Sequence, residues 1–144
     1  GTYNPNTVST SSSACGDADA GYFVNQTAQS AQNPCGVGTY QPLTGQISCD
    51  DSDAGYYVEL TAQSNQVPCE LGTYQPLTGQ TSCDDADAGY YVDMTGQASQ
   101  TPCVFGTYNP NTASSNSSAC VDPDAVYFVN HTAESVHSPS ENGT

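Results

Sequence analysis

The chain has 144 residues, of which 15 are Asp or Glu and none is Lys or Arg, so its formal net charge is −15. An ordinary domain of this length carries roughly 15–18 basic residues, and their complete absence is not chance. It excludes nucleic-acid binding, which needs Lys and Arg against phosphates, and it argues against anionic membranes and acidic substrates. Val, Leu, Ile and Phe are too scarce in the sequence for a large aliphatic core, and no run is long and apolar enough to cross a membrane.

The sequence is an internal repeat with a period of 34 residues. Residues 38–71 read GTYQPLTGQISCDDSDAGYYVELTAQSNQVPCEL, and residues 72–105 read GTYQPLTGQTSCDDADAGYYVDMTGQASQTPCVF. Gly-Thr-Tyr also occurs at Gly1 and Gly106, where three extra residues lengthen the copy, and Gly143-Thr144 begins a fifth copy. A shorter period of 17 lies beneath this one, because each copy contains a GTY half and a GYY or GYF half. The glycines that open successive halves are Gly38, Gly55, Gly72, Gly89 and Gly106.

Each half has room for two short strands and a turn. Tyr56-Tyr57-Val58 is rich in residues that favour strands, and Leu43-Thr44-Gly45-Gln46 is typical of a turn. A proline stands two residues after each GTY tyrosine and keeps the strands short; these are Pro5, Pro42, Pro76 and Pro110. No segment has helical periodicity. We therefore predict an all-β fold of small disulfide-stapled tandem repeats, an elongated rod of short hairpins with little aliphatic core; the alternative is a disordered stalk.

The regularly spaced tyrosines are expected to supply much of the missing core, since an aromatic ring buries a large area. The repeat boundaries predicted from the cysteine positions are 1–34, which lacks its first cysteine, 35–68, 69–102, the divergent 103–139, and 140–144, which begins the next unit.

The cysteines alternate in spacing and allow two nearest-neighbour pairings. One joins Cys35–Cys49, Cys69–Cys83 and Cys103–Cys120 and leaves Cys15; the other joins Cys15–Cys35, Cys49–Cys69 and Cys83–Cys103 and leaves Cys120. No CxxC pair is present, so a zinc site is not expected. Disulfides formed in an oxidising, extracellular environment are the expected state of these cysteines.

The segments CGVGTYQPLTGQISC and CELGTYQPLTGQTSC carry a family resemblance. They resemble the C-x-x-G-x-Y-(x)n-C unit of ephrin-receptor-like cysteine-rich repeats and the first loop of tumour necrosis factor receptor cysteine-rich domains. The resemblance covers the GTY halves and implies a small β-loop in a rod of modules. It also implies the first pairing, Cys35–Cys49, Cys69–Cys83 and Cys103–Cys120, with Cys15 bonded to a cysteine outside this sequence. Ser140 stands where Cys35 and Cys103 would recur.

An Asp-x-Asp motif recurs in every copy. Two carboxylates on a short loop are typical calcium ligands, whereas the alternative is a turn in which Asp side chains accept backbone N–H groups. The calcium hypothesis assigns the ligands to Asp17, Asp19, Asp51, Asp53, Asp85, Asp87, Asp122 and Asp124. No copy continues as an EF-hand loop.

Four Asn-x-Ser/Thr sequons predict surface glycosylation. They begin at Asn25, Asn116, Asn130 and Asn142, and simple solvation is the alternative. None lies between residues 36 and 115, so the predicted glycans avoid the two middle copies.

Tandem repetition, staples and the lack of a catalytic constellation predict a structural extracellular or cell-surface protein, not an enzyme, that forms a rod, stalk or head-to-tail filament. Its expected partners are copies of itself, covalent glycans and no nucleic acid. The alternative is a ligand-binding or adhesive ectodomain, suggested by the divergent last copy, which contains His131 and His137. No cofactor is expected apart from the calcium already considered.

Overall fold

The computed structural model describes residues 1–124 in full and the backbone of Tyr127–Phe128 and Ser138–Pro139. Within these residues every strand has two residues, and strands consecutive in the chain pair as hairpins, from β1 with β2 to β13 with β14. The strands are β1 (Thr2–Tyr3), β2 (Gly16–Asp17), β3 (Tyr22–Phe23), β4 (Asn33–Pro34), β5 (Thr39–Tyr40), β6 (Asp50–Asp51), β7 (Tyr56–Tyr57), β8 (Val67–Pro68), β9 (Thr73–Tyr74), β10 (Asp84–Asp85), β11 (Tyr90–Tyr91), β12 (Thr101–Pro102), β13 (Tyr127–Phe128) and β14 (Ser138–Pro139). The prediction of an all-β fold made of small disulfide-stapled hairpins is confirmed.

Each hairpin corresponds to one short repeated segment, which we call a half-unit. The complete half-units are residues 18–34, 35–51, 52–68, 69–85 and 86–102. Strand register repeats between them: Tyr40 lies opposite Asp50, and Tyr74 lies opposite Asp84 in the next copy. The three-residue insertions of the outer copies form short 3-10 turns at Ser12–Ala14 and Ser117–Ala119, before the cysteine that ends each loop. A bridge between Tyr108 and Val121 closes the hairpin around the second insertion.

The chain forms two compact units, one of Gly1–Val67 with Leu77–Ser82 and one of Pro68–Pro76 with Cys83–Thr144. In the first unit, three types of backbone hydrogen bond join one half-unit to the next. The half-unit glycine and the residue three after it both donate forward to carbonyls of the next half-unit, and a turn residue donates back to the first residue of the preceding half-unit. These bonds are Gly21 to Gln41, Gly38 to Val58, Val24 to Gln46, Gln41 to Gln63, Val58 to Gln80, Gly45 to Ala18, Ala62 to Cys35 and Gly79 to Ser52, at 2.7–3.0 Å.

The second unit contains the same three types of bond. They are Gly72 to Val92, Gly89 to Asn109, Gln75 to Gln97, Val92 to Ser114, Gly96 to Cys69 and Ala113 to Ala86, at 2.7–3.0 Å. Because backbone N–H and C=O groups are the same in every residue, this interface needs only the right spacing and room for close approach. The half-unit is therefore the repeat of the backbone structure within each unit. The longer sequence period reflects side chains that alternate between successive half-units.

The core is a row of small and medium side chains rather than a cluster of large ones. The first residue of each half-unit is completely buried, and the residue six positions later is almost completely buried. The first position is held by Ala18, Cys35, Ser52, Cys69, Ala86 and Cys103, and the second by Val24, Gln41, Val58, Gln75, Val92 and Asn109, all at most 4% exposed. The buried Gln41 is satisfied inside its own loop, since it donates to the Ser48 carbonyl and accepts from Leu43 N–H.

The tyrosines do not form this core. Tyr22, Tyr40, Tyr57, Tyr74 and Tyr91 are all only half-buried. The expectation of a tyrosine core was therefore wrong.

Candidate functional site

The first feature of interest is the set of disulfides, which occur in alternate half-units. Cys35–Cys49, Cys69–Cys83 and Cys103–Cys120 are bonded, with Cα–Cα distances of 5.8, 5.8 and 5.6 Å. These are the pairs that the family resemblance implies. Cys15 is unpaired and exposed, and its bond to a cysteine outside the sequence stays a prediction. Such staples are typical of proteins in an oxidising, extracellular environment.

The half-units without a disulfide contain a polar pair at the same place. Gln66 takes the position in its half-unit that Cys49 takes in the preceding one. Its side chain makes two hydrogen bonds with Asp53: the Asp53 N–H donates to Gln66 Oε1 at 2.6 Å, and Gln66 Nε2 donates to Asp53 Oδ2 at 2.6 Å. Asp19 with Gln32 and Asp87 with Gln100 repeat this geometry. Each pair joins the start of a hairpin to the residue just before its last strand, as the disulfides Cys35–Cys49 and Cys69–Cys83 do.

The sequence analysis missed these glutamines, although a signal was present. A Gln follows the second Asp of the motif at the same spacing in three successive copies. The buried Gln41, Gln75 and Asn109 were also missed, because a polar residue at a core position looks like surface until its loop partners are known.

In the motifs that start at Asp17, Asp51 and Asp85, the first aspartate ends a strand and the second begins a turn. The carbonyl of Asp53 accepts the N–H of Tyr56 at 3.0 Å, and Asp19 and Asp87 make the equivalent bonds. The first aspartate packs against a turn further along the chain: Asp51 Cγ lies 3.4 Å from where a Cβ on Gly79 would be, and Asp17 relates to Gly45 in the same way. Throughout residues 1–124, no three His, Cys, Asp or Glu side chains come together in a group that could hold a metal ion.

Two tyrosines have perturbed acidity. Burial raises the pKa of Tyr40, and the carboxylates of Asp53 and Asp50 raise it further. The pKa of Tyr74 is raised in the same way, by burial first and then by Asp87, Asp84 and Tyr90. An anionic phenolate is disfavoured at both places because its neighbours are negative and no Lys or Arg exists in the sequence to offset them.

Two of the four sequons lie in the described residues, and both asparagines are exposed. Asn116 accepts the N–H of Ser118 through Oδ1 at 2.9 Å and caps the 3-10 turn that follows. A glycan on Nδ2 would leave that bond intact. Asn130 and Asn142, together with His131, His137 and Ser140, lie outside the described residues.

A groove of about 650 Å³ lies beside the first hairpin. Tyr3, Cys15, Val24, Ala28 and Gln29 are among the residues that line it. It brings the free thiol of Cys15 together with residues of the half-unit 18–34.

No protein-family model matches the chain, and no curated protein matches it with significance. The resemblance to ephrin-receptor-like and tumour necrosis factor receptor-like repeats stays a prediction. In the part of the chain that the structure describes, no helix is long and apolar enough to span a membrane.

Proposed function

We propose that this protein is a structural extracellular repeat protein that assembles end to end into a filament, rod or stalk at or near the cell surface. One observation supports this most strongly: within each unit, successive half-units are joined by the same few types of backbone hydrogen bond, repeated from one step to the next. An interface made only of backbone donors and acceptors along one chain can also be made between two chains, because every residue other than proline carries the same groups.

The second aspartates of the motif and most of the cysteines already have a structural role. The second aspartate of the motif binds a glutamine in three copies, and six of the seven cysteines are in disulfides. Repetition, stapling and the surface glycosylation predicted at Asn25 and Asn116 agree with a protein whose role is structural.

Negative-stain electron microscopy of the purified chain tests the proposal. We expect fibres of uniform width whose number rises with protein concentration and that persist without added ligand. Reduction of the disulfides should abolish the fibres, since each closes a loop of about 15 residues worth on the order of 3 kcal/mol. Particles that stay monomeric at every concentration would contradict the proposal.

A partner-binding or adhesive ectodomain is the second candidate, and an exposed row of leucines favours it. Leu43, Leu60 and Leu77 occupy the same position of successive half-units and are 61%, 64% and 62% exposed. Repeated apolar side chains on a surface are a common feature of interaction sites. If this row is adhesive, replacing all three with Ser should abolish attachment to cells or matrix and leave the monomer folded, whereas a filament should form with or without these leucines.

A further inference from the structure

The two middle copies differ from the outer copies at one exposed place in the GYY or GYF half. The outer copies have sequons there, N-Q-T at 25–27 and N-H-T at 130–132. The middle copies have E-L-T at 59–61 and D-M-T at 93–95. The acidic residue of each middle copy is exposed, and the Leu or Met after it is 64% or 59% exposed. The middle copies therefore present a carboxylate beside an apolar side chain where the outer copies have a predicted glycan.

In the first unit, Glu59 lines a small pocket together with apolar residues. The pocket has a volume of about 110 Å³; Tyr57, Val58, Leu60 and Val67 contribute to its walls, and two amide residues complete the lining. Sites for drug-sized ligands occupy roughly 300–1,000 Å³, whereas one water molecule takes about 30 Å³. The pocket is therefore the size of a single amino-acid side chain.

The Glu59 carboxylate has no positive partner in this pocket. Its side chain makes no hydrogen bond or ion pair with residues 1–124, and the sequence contains no Lys or Arg. Lys and Arg side chains pack their methylene groups on apolar surface and hold the charge at the end, which suits apolar walls beside a carboxylate. A neutral side chain in the pocket would remove water from Glu59 without compensating its charge.

The exposed leucines extend this surface within the first unit. Leu43, Leu60 and Leu77 occupy equivalent positions of successive half-units, which backbone hydrogen bonds join. The turn after Leu43 packs against the exposed Asp17, and the turn after Leu77 packs against the exposed Asp51. Carboxylates therefore accompany all three leucines, and the surface is both apolar and negative. Such a surface is complementary to one that is apolar and positive.

We infer that the leucine row and the Glu59 pocket bind a segment of another protein that carries Lys or Arg between apolar side chains. A cationic side chain enters the pocket against Glu59, and the apolar side chains of the segment cover the leucines. A second copy of this chain cannot supply the Lys or Arg. This inference rests on the second candidate function, adhesion through the leucine row, and adds the chemistry of the partner.

Fluorescence anisotropy with labelled synthetic peptides tests the inference, at about 0.15 M salt to screen nonspecific attraction. The probe is a peptide in which Leu and Lys alternate. One comparison peptide has Gln in place of every Lys, and another has Ser in place of every Leu. We expect the Leu–Lys peptide to bind about tenfold more tightly than either comparison peptide, because each of them lacks one half of the complementarity.

Two variants of the protein locate the cation. Glu59→Gln removes the charge of the pocket, and the matched control Glu70→Gln removes the same charge from an exposed residue outside it. We expect Glu59→Gln to weaken binding of the Leu–Lys peptide about fivefold, the effect of one well-placed ion pair, and Glu70→Gln to change it by less than about twofold. One free thiol per chain in each variant verifies that the three disulfides have formed.

Equal affinities of the two glutamine variants would overturn the inferred cation site, as would a Lys-free peptide that binds as tightly as the Leu–Lys peptide. The attachment assay separates this inference from the function on which it rests. Attachment that is lost when the three leucines are replaced with Ser, together with equal affinities of the glutamine variants, would retain adhesion and reject the cationic partner. Attachment that survives this replacement would reject the adhesive function and this inference with it.

Discussion

Gly38 and Gly79 both have positive φ, +78° and +68°, but they face different surroundings. A Cβ on Gly38 would lie 2.4 Å from the carbonyl oxygen of Gly79, which is fixed backbone. A Cβ on Gly79 would lie 3.4 Å from Asp51 Cγ, an ordinary contact distance. Alanine already occupies the turn position of Gly79 in other half-units, as Ala28, Ala62 and Ala113 at φ of 54–60°. At Gly38 a side chain would collide with backbone, whereas at Gly79 only the positive φ favours glycine.

We predict that Gly79→Ala lowers the free energy of unfolding by about 1 kcal/mol, the conformational cost of an L-residue at positive φ. Gly38→Ala should cost about 3 kcal/mol or more, because the same cost is joined by a backbone displacement. Denaturant unfolding of both variants measures the difference. Equal losses would show that the backbone of Gly79 can move away from a side chain at position 38 without strain.

The raised pKa values of Tyr40 and Tyr74 predict that the protein loses stability at alkaline pH. Their folded pKa values are raised above the ordinary 10.0, so the folded state holds the phenolic protons more tightly than the unfolded state. The stabilisation is complete below about pH 10 and disappears as the pH rises through the folded pKa values.

The Tyr40→Phe and Tyr74→Phe double variant should lose less stability than the parent between about pH 8 and pH 11, because its rings cannot ionise. Urea unfolding at the two pH values measures this, with Cys15→Ser in both proteins to prevent disulfide exchange. An unchanged pH dependence would mean that other groups control the alkaline transition.

At the level of the hairpin, the disulfide and the Asp–Gln pair are two solutions to one problem. A two-residue strand pair is marginal by itself in water, so each half-unit needs a second connection between its ends. Cys35–Cys49 supplies a covalent one, and Asp53 with Gln66 supplies two hydrogen bonds. The partly exposed polar pair is the weaker connection.

Exchanging the two polar groups tests this interpretation. Gln66→Glu keeps the acceptor for the Asp53 N–H but places two carboxylates together, and we expect a loss of about 1–2 kcal/mol in unfolding free energy near neutral pH. Adding Asp53→Asn restores a donor opposite the new carboxylate and should recover most of that loss.

The double-mutant cycle from thermal or denaturant unfolding gives the coupling energy. Asp51→Asn serves as the matched control, since Asp51 lies outside this pair. If it rescues Gln66→Glu as well as Asp53→Asn does, general charge reduction rather than the specific pair is responsible.

Across the whole molecule, 15 carboxylates have no Lys or Arg to offset them. The contacts between half-units do not depend on compensating these charges, because they are hydrogen bonds between uncharged backbone groups. The remaining charge is repulsive and acts against compaction as well as against lateral association of copies. Screening should reduce both effects, since the Debye length falls from about 30 Å at 0.01 M salt to about 3 Å at 1 M.

We predict that the thermal midpoint rises with NaCl and that CaCl2 at the same ionic strength gives the same rise, since residues 1–124 contain no three-carboxylate group. Differential scanning calorimetry measures both. An additional increase with calcium alone would revive the Asp-x-Asp motifs as metal ligands.

The sequence by itself determined the periods, the all-β class and the short strands, because glycine, proline and tyrosine spacing acts through local backbone preferences. The disulfide pairs agree with a resemblance confined to the GTY halves. Tertiary structure decided which residues form the core. Gln41 is buried and Tyr40 only partly so, since burial depends on backbone that arrives from the next half-unit, far along the sequence. The Asp53–Gln66 pair became visible for the same reason, because the two residues are apart in the sequence and meet only in the folded hairpin.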